Sequence, residues 1–373
     1  MSQVEYWLAA AVLRLVGWLA NRLPVRERVV LASPRTGRLD GNLLYLEREI
    51  RARRPDLPIV RLLEPYSYRF LGKLAYAARL IRGMVLLRTS RTFIVDNAYL
   101  PVHVAPHPPR TTVIQVWHAA GALKRFGFDA NPPPNEPERT FLHRHYDWVV
   151  SSAEASRGPW SGALRTPPAR VVPLGTPRVD FFHDAVAVAA ARAAIERGYP
   201  ALAGRRVITY APTFRGRGRG KRPGMSLDTA AVRSALAPGD VLAFKGHPNL
   251  DPGLVDTAGY DAVIDPRAEM NDVLAATDIL ITDYSSSIFE FALLRRPLIL
   301  LIGDLADYER EPGLYLDLRT EMIGRQATDT AGVADAIRDG RFDLGTYDAF
   351  IARHLGASDG GASARFVERF LPA

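Results

Sequence analysis

The sequence predicts an α/β protein made of two Rossmann-like, doubly wound domains facing each other across a cleft. Three observations lead there. Short β-branched apolar runs alternate with helical patterns along most of the chain, the pattern of a parallel sheet with helices on both faces. The alternation occurs in both halves. And 373 residues, 47% hydrophobic and 24% charged, make a globular chain long for a single core.

The clearest unit is Ile279–Asp304, ILITDYSSSIFEFALLRRPLILLIGD. An apolar strand runs to Ile281, Thr282–Ser287 is a polar turn, Ile288–Leu294 reads as a buried helix, and Leu298–Ile302 is a second strand. Ser287 and Glu290 fit a capping box, which places Ser285 and Ser286 ahead of the helix. Backbone N–H groups, hydroxyls and the helix dipole at such a start suit a phosphate, although an ordinary N-cap has the same look.

Net charge is +8, which points to an anionic partner: nucleic acid, lipid head groups or a phosphorylated substrate. With no cysteine, disulfides, thiolate chemistry and zinc–thiolate sites are excluded. No Walker A, GxGxxG or HExxH pattern is present.

In order, Val4–Leu23 reads as a helix apolar nearly all round but interrupted by Arg14. It is too interrupted for a span of about 20 apolar residues. Trp7, Trp18, Arg14 and Arg22 suit a helix lying in a bilayer interface, with residues 1–23 as a unit of their own; packing on the next domain is the alternative. Residues 24–183 form the first domain. Val29–Ala32, Ile59–Leu63, Thr92–Val95, Thr112–Val116, Trp148–Ser151 and Val171–Gly175 are its strands. A Gly-, Arg- and Asp-rich loop spans Ser33–Asn42, and Leu71–Leu87 is an amphipathic helix. Ligands of such sheets bind beyond the carboxyl ends of the strands. His118 stands there, after Thr112–Val116, as a candidate general base. Ala119, Ala120 and Gly121 allow close approach to the backbone, and Lys124 and Arg125 can meet phosphate. A helix through Arg144 is expected to leave His143 and His145 solvated.

The Ala-rich helix Ala185–Arg197 leads into the second domain, residues 184–345, with terminal helices over 346–373. Val207–Tyr210 ends in Pro212, Thr213 and Arg215, followed by a basic loop, Gly216–Arg222, that suits a clamp for polyanions or a plain linker. Val241–Phe244 ends in Lys245-Gly246-His247-Pro248, so a second histidine also stands at a strand end.

These segments carry a likeness. IQVWHAAGALKRFGFD (Ile114–Asp129), VVPLGTPRVDFF (Val171–Phe182), ITYAPTFRG (Ile208–Gly216), KGHP (Lys245–Pro248) and TDYSSSIFEFALLRRPLI (Thr282–Ile299) together resemble the CDP-glycerol glycerophosphotransferases, the teichoic-acid primase and polymerase family. The family often has Gly-Thr or Gly-Ser after the first histidine; here Ala119-Ala120 removes a hydroxyl donor. The resemblance implies a GT-B fold, no cofactor and no bound metal. It implies a CDP-glycerol or related CDP-polyol donor, an anionic lipid-linked or polymeric acceptor, and work at the cytoplasmic membrane face. His118 and His247 are then the catalytic pair. Ala119, Ala120, Gly121, Lys124, Arg178, Pro212, Thr213, Arg215, Lys245, Gly246, Asp283, Ser285 and Ser286 would contact substrate, with the cations neutralising a diphosphate. A glycosyltransferase or epimerase of the same fold using a nucleotide sugar is the rival reading. A non-catalytic anion-binding module is another, and nucleic acid is not an expected partner.

Overall fold

The computed structural model describes residues 3–63, 70–216 and 220–372. The chain divides into two compact units, residues 1–180 with 354–373, and residues 181–353. Each contains a six-stranded, all-parallel sheet.

The first unit opens with helix α1 (Gln3–Ala20), then β1 (Arg26–Ser33), α2 (Gly41–Arg53), β2 (Ile59–Leu63), α3 (Phe70–Thr89) and β3 (Ser90–Val95). The short α4 (Leu100–Val104), β4 (Thr112–Gln115), α5 (Glu138–Phe141), β5 (Trp148–Ser151), α6 (Arg157–Ala163) and β6 (Val171–Pro173) complete it. The strand order β2-β1-β3-β4-β5-β6 reverses direction of travel between β1 and β3. Val29, Leu31, Ile94, Ile114 and Val150 fill the core, as expected of strands covered on both faces.

The expected helix through Arg144 is not formed. α5 ends at Phe141, because His143 (φ 55°) and His145 (φ 64°) are left-handed and turn the chain. The turn carries His143 inward to 3% exposure, beside His103 and Tyr146, so the solvated reading of this residue is corrected; His145 is half-buried.

The second unit comprises α7 (Ala185–Gly198), β7 (Val207–Ala211), a two-stranded ribbon of β8 (Phe214–Arg215) and β9 (Arg222–Pro223), α8 (Thr229–Arg233), β10 (Val241–Lys245) and β11 (Ala262–Ile264). α9 (Met270–Ala276), β12 (Ile279–Thr282), α10 (Ser287–Ala292), β13 (Leu298–Leu301), α11 (Leu305–Arg310), β14 (Arg325–Ala327) and α12 (Thr330–Asp339) follow. Of the expected basic loop, residues 217–219 lie outside the described residues. The order β11-β10-β7-β12-β13-β14 has its switch between β7 and β12, where doubly wound sheets bind ligands. Local signals are clear at α12. Asp329 accepts from the Gly332 amide at its start, and Gly340, at φ 64°, ends it. After α13 (Tyr347–Leu355), helix α14 (Ala362–Phe370) packs on α2 with Phe366 and Val367 in the core of the first unit.

The N-terminal helix packs against α3 and α4 through an unusual choice of residues. Ala10, Leu13, Gly17 and Ala20 are buried, while Val4, Trp7, Leu8, Leu15, Trp18 and Leu19 are exposed. Arg14 is exposed, and its Nε donates to the Val104 carbonyl at 2.9 Å. No helix among the described residues is long and apolar enough to cross a membrane.

Candidate functional site

In the first unit the candidate residues gather after β4. His118 follows Trp117, whose φ of 50° is costly for an aromatic residue. The strain is held by hydrogen bonds. The Trp117 amide donates to Gln115 Oε1 at 2.8 Å, and Asn42 Nδ2 donates to the carbonyls of Val116 and Trp117 at 3.0 and 2.9 Å. Asn42 is 1% exposed, and its Oδ1 accepts the Arg178 amide at 3.1 Å. One side-chain amide from the second residue of α2 thus ties the His118 turn to the Arg178 segment.

His118 is half-buried, and its Nδ1 lies 3.4 Å from the Asp96 carbonyl. A carbonyl only accepts, so Nδ1 carries the proton and Nε2 keeps a lone pair. Burial pushes the imidazole down to about 3, helped by Arg35, Arg178 and Lys124; the Asp96 carbonyl opposes them. The ring is therefore neutral at pH 7. Asp96, buried at the end of β3, is pushed up to about 6 by burial against the pull of Arg35 and a hydrogen bond from Ser33, and its Oδ1 has no hydrogen-bond partner among the described residues. Ala119 is half-buried, and Ala120 is fully buried, so its smallness serves packing. Gly121 adopts φ 63° and donates its amide to Ser152 Oγ at 3.2 Å. Lys124 and Arg178 are both half-buried.

In the second unit the switch-point loops carry Pro212, Thr213, Arg215, Asp283, Ser285 and Ser286, and the end of β10 carries Lys245, Gly246 and His247. Arg215 is ion-paired within the second unit. Its Nε and Nη2 meet Asp304 at 2.7 and 3.2 Å, and Tyr284 donates to the same carboxylate at 2.9 Å. Arg215 Nη1 stands 2.9 Å from Asp283 Oδ2, near enough for an ion pair though misaligned for a hydrogen bond. The guanidinium also lies over the stacked rings of Tyr284 and Tyr308. Burial works against its charge, but the two carboxylates win and raise its pKa. Asp283, 2% exposed, accepts the Thr213 amide at 2.8 Å. Arg215 and Asp283 therefore form an internal clamp joining the β7 and β12 loops. In the sequence, Asp304 is marked only as the end of the Ile279–Asp304 unit.

The serine turn also differs in detail. Ser287 lies inside α10, and Ser286 at the cap makes no side-chain capping bond. Ser285 Oγ accepts the Ser287 amide at 3.2 Å and shares a 2.7 Å bond with Ser287 Oγ, replacing the expected Ser287–Glu290 box. Ser285 and Ser286 are half-buried. Lys245 is 6% exposed, with Nζ donating to the Pro266 carbonyl at 3.0 Å. Burial brings it down to about 8, against Glu269 and Asp265. Gly246 is buried, with the Phe244 ring against it. His247 Nδ1 accepts the Asn249 amide at 3.1 Å, so a neutral ring carries its proton on Nε2; Phe214 packs edge-on to it. Missed by sequence reasoning are Asn42 and Asp96; the only signal for either is its place beside the β1/β3 switch point.

Comparison with known proteins shows the family and the fold. The teichoic acid ribitol-phosphate primase of Bacillus spizizenii is 32% identical over 367 residues, 95% of this chain and 94% of the relative. The teichoic acid poly(ribitol-phosphate) polymerase of the same organism is 29% identical over 94% of this chain, which spans 57% of that protein's length. Among solved structures, the wall teichoic acid polymerase TagF superposes with a TM-score of 0.75 at 20% identity, covering 99% of this chain and 96% of that one, which fixes the fold as GT-B-like. Residues 18–371 match the family described as CDP-glycerol:poly(glycerophosphate) glycerophosphotransferase, and the chain belongs to that family.

Proposed function

We propose that the chain transfers a polyol phosphate from a CDP-polyol to a hydroxyl of a lipid-linked or polymeric cell-wall acceptor, releasing CMP. The observation that carries the proposal is His118: a strand-end imidazole, neutral at pH 7, with Nδ1–H committed to the Asp96 carbonyl and Nε2 left as base. The acceptor oxygen bonds to the β-phosphorus, the bond from that phosphorus to the CMP oxygen breaks, and the hydroxyl proton passes to His118 Nε2. An anionic diphosphate beside Arg178 and Lys124 offsets their field and raises the imidazole toward neutrality, where a general base works best. His247, protonated on Nε2, donates to a phosphate oxygen, and Lys245 supplies charge below about pH 8. Pro212, Thr213, Ser285 and Ser286 shape the donor side at the β7/β12 switch point. Phosphoryl transfer of this kind rests on position and charge stabilisation.

The family's description names glycerol phosphate, and two relatives named above carry ribitol phosphate in their names, so the donor panel includes both. Incubation with CDP-glycerol, CDP-ribitol and UDP-sugars should release CMP from one or both CDP-polyols and no UDP. UDP release alone would replace the proposal with the nucleotide-sugar reading.

We also infer that the enzyme works at a membrane surface, through the exposed large side chains of α1. Because the opposite face of α1 is packed, removing residues 1–23 would uncover the core. Leu8→Gln with Leu15→Gln is the cleaner test. Loss of vesicle binding with unchanged CMP release supports the inference, and unchanged binding rejects it.

A further inference from the structure

A cavity of about 490 Å³ lies on the opposite sheet edge from His118. It is lined at the amino ends of β1, β3 and β4 by Asn21, Leu23, Arg88, His107 and Arg110, together with prolines and Val25. Its charge is one-sided, with no carboxylate in the lining.

Arg88 is the anomaly. It is 5% exposed, and buried charges are normally paired. Its Nη1 donates to the Pro106 carbonyl and, at 3.5 Å, to Asn21 Oδ1, while Nε faces Met84 Sδ at 3.4 Å. No carboxylate among the described residues pairs with it. Arg110 is exposed, and its guanidinium makes no ion pair among the described residues. His107 is a third basic group of the lining, paired with Asp147. Its Nδ1 lies 3.1 Å from the Pro108 carbonyl and its Nε2 lies 3.2 Å from Asp147 Oδ2. Neither partner donates, so the imidazolium satisfies both. Burial opposes that charge, and Asp147 outweighs it.

The cavity is continuous with the exposed stripe of α1. Leu23, three residues past α1, lines the cavity and is exposed; Trp18 and Leu19 are exposed in the last turn of α1, and Arg22 just beyond it stacks 3.7 Å over Trp18. A soluble anion would gain nothing from those apolar neighbours. We propose that this pocket holds the phosphate of an anionic membrane lipid, with Arg88 at its base, Arg110 at its mouth, and the apolar stripe of α1 in the bilayer interface. The proposal rests on the membrane reading of α1 and deepens it by naming the headgroup chemistry.

The test uses the full chain with vesicles of phosphatidylcholine alone and of phosphatidylcholine mixed with phosphatidylglycerol. A basic residue near an anionic surface contributes about 1 kcal/mol, roughly fivefold in partitioning. Arg110→Gln should therefore weaken binding to the anionic vesicles by about fivefold or more and leave binding to neutral vesicles unchanged. Arg88→Gln should do the same; Arg110, being exposed, keeps the test valid if Arg88→Gln loosens the fold. Arg197→Gln, the same charge loss on exposed α7, should have no effect. Equal losses for Arg197→Gln and Arg110→Gln would reduce the effect to net charge and overturn the pocket. Anionic-vesicle binding unchanged in both pocket variants would overturn it while sparing the membrane reading; a wild type that binds neither vesicle would end both. Saturable binding of inorganic phosphate with no preference for anionic vesicles would assign the pocket to a soluble ion instead.

Discussion

Asn42→Ala is the most informative single change in the first unit. It removes two donors from the Val116 and Trp117 carbonyls and the acceptor of the Arg178 amide. At about 1 kcal/mol per bond, the expected loss of stability is about 3 kcal/mol. Turnover should fall by more than stability explains. Trp117 sits at φ 50° because its surroundings over-determine it. Without the amide the turn relaxes, and His118 and Arg178 lose their common tie. A displacement near 1 Å costs about 10² in rate. The assay is CMP release from the CDP-polyol, measured well below the melting temperature so that the variant is folded. The expected result is a kcat about 10² lower with KM changed far less. Asn42→Asp, which keeps the shape but turns carboxylate lone pairs toward two carbonyls, should be no better. A kcat within twofold of wild type for Asn42→Ala would refute the reasoning. A wild type that releases no CMP would refute the functional reading and leave Asn42 unjudged.

His118→Ala should lose about 10²–10⁴ in turnover while donor binding, followed by calorimetry, is retained; near-normal turnover ends its role as base. Arg215→Ala should cost about 3–5 kcal/mol in urea unfolding, because it strands the carboxylates of Asp283 and Asp304. Wild-type stability with lost donor affinity would return Arg215 to the diphosphate. Lys245 titrates near 8, so KM for the donor should rise as pH climbs through 8, and Lys245→Arg should flatten that rise; a pH-independent KM would rule out the ammonium. His103 is pushed down to about 3 by burial and His143 well below its ordinary value by burial and by His103. Their neutral forms belong to the folded state. Only the unfolded chain takes up protons as pH falls through 6.5, so stability should drop by about 1.4 kcal/mol per histidine between pH 7.5 and 5.5. Urea midpoints unchanged across that range would contradict it.

What the sequence disclosed and what it withheld divide along physical lines. Ile279–Thr282 and Leu298–Leu301 are legible because a strand buried on both faces must be apolar at every position. His118 and His247 are legible because a polar residue just after such a run sits at a strand end by construction. The three-residue edge strands β11 and β14 carry too few positions for a pattern. The Arg215–Asp304 pair joins residues 89 apart, and nothing local distinguishes it from a free arginine. Helical periodicity carried through Arg144 leaves His143 in solvent, but two left-handed residues break the turn there and bury it. Asn42 has no motif at all; its importance appears only when three segments meet around one amide.

That last contrast explains how the two units handle charge. In the second, Arg215 is held by Asp304 and Asp283, and through them the β7 and β12 loops are tied together. The charge left for an anion is the softer Lys245, whose ammonium is weakened by burial and needs an anion to hold its proton above pH 8. In the first unit the order is reversed. Burial, helped by the field of Arg35, Arg178 and Lys124, holds His118 neutral. An anion beside either group would raise its proton affinity, that of the base in the first unit and that of the lysine in the second. The linkage also fixes its own sign: donor binding must take up protons between about pH 7 and 9, and calorimetry in buffers of different ionisation enthalpy would detect proton release if the logic were wrong.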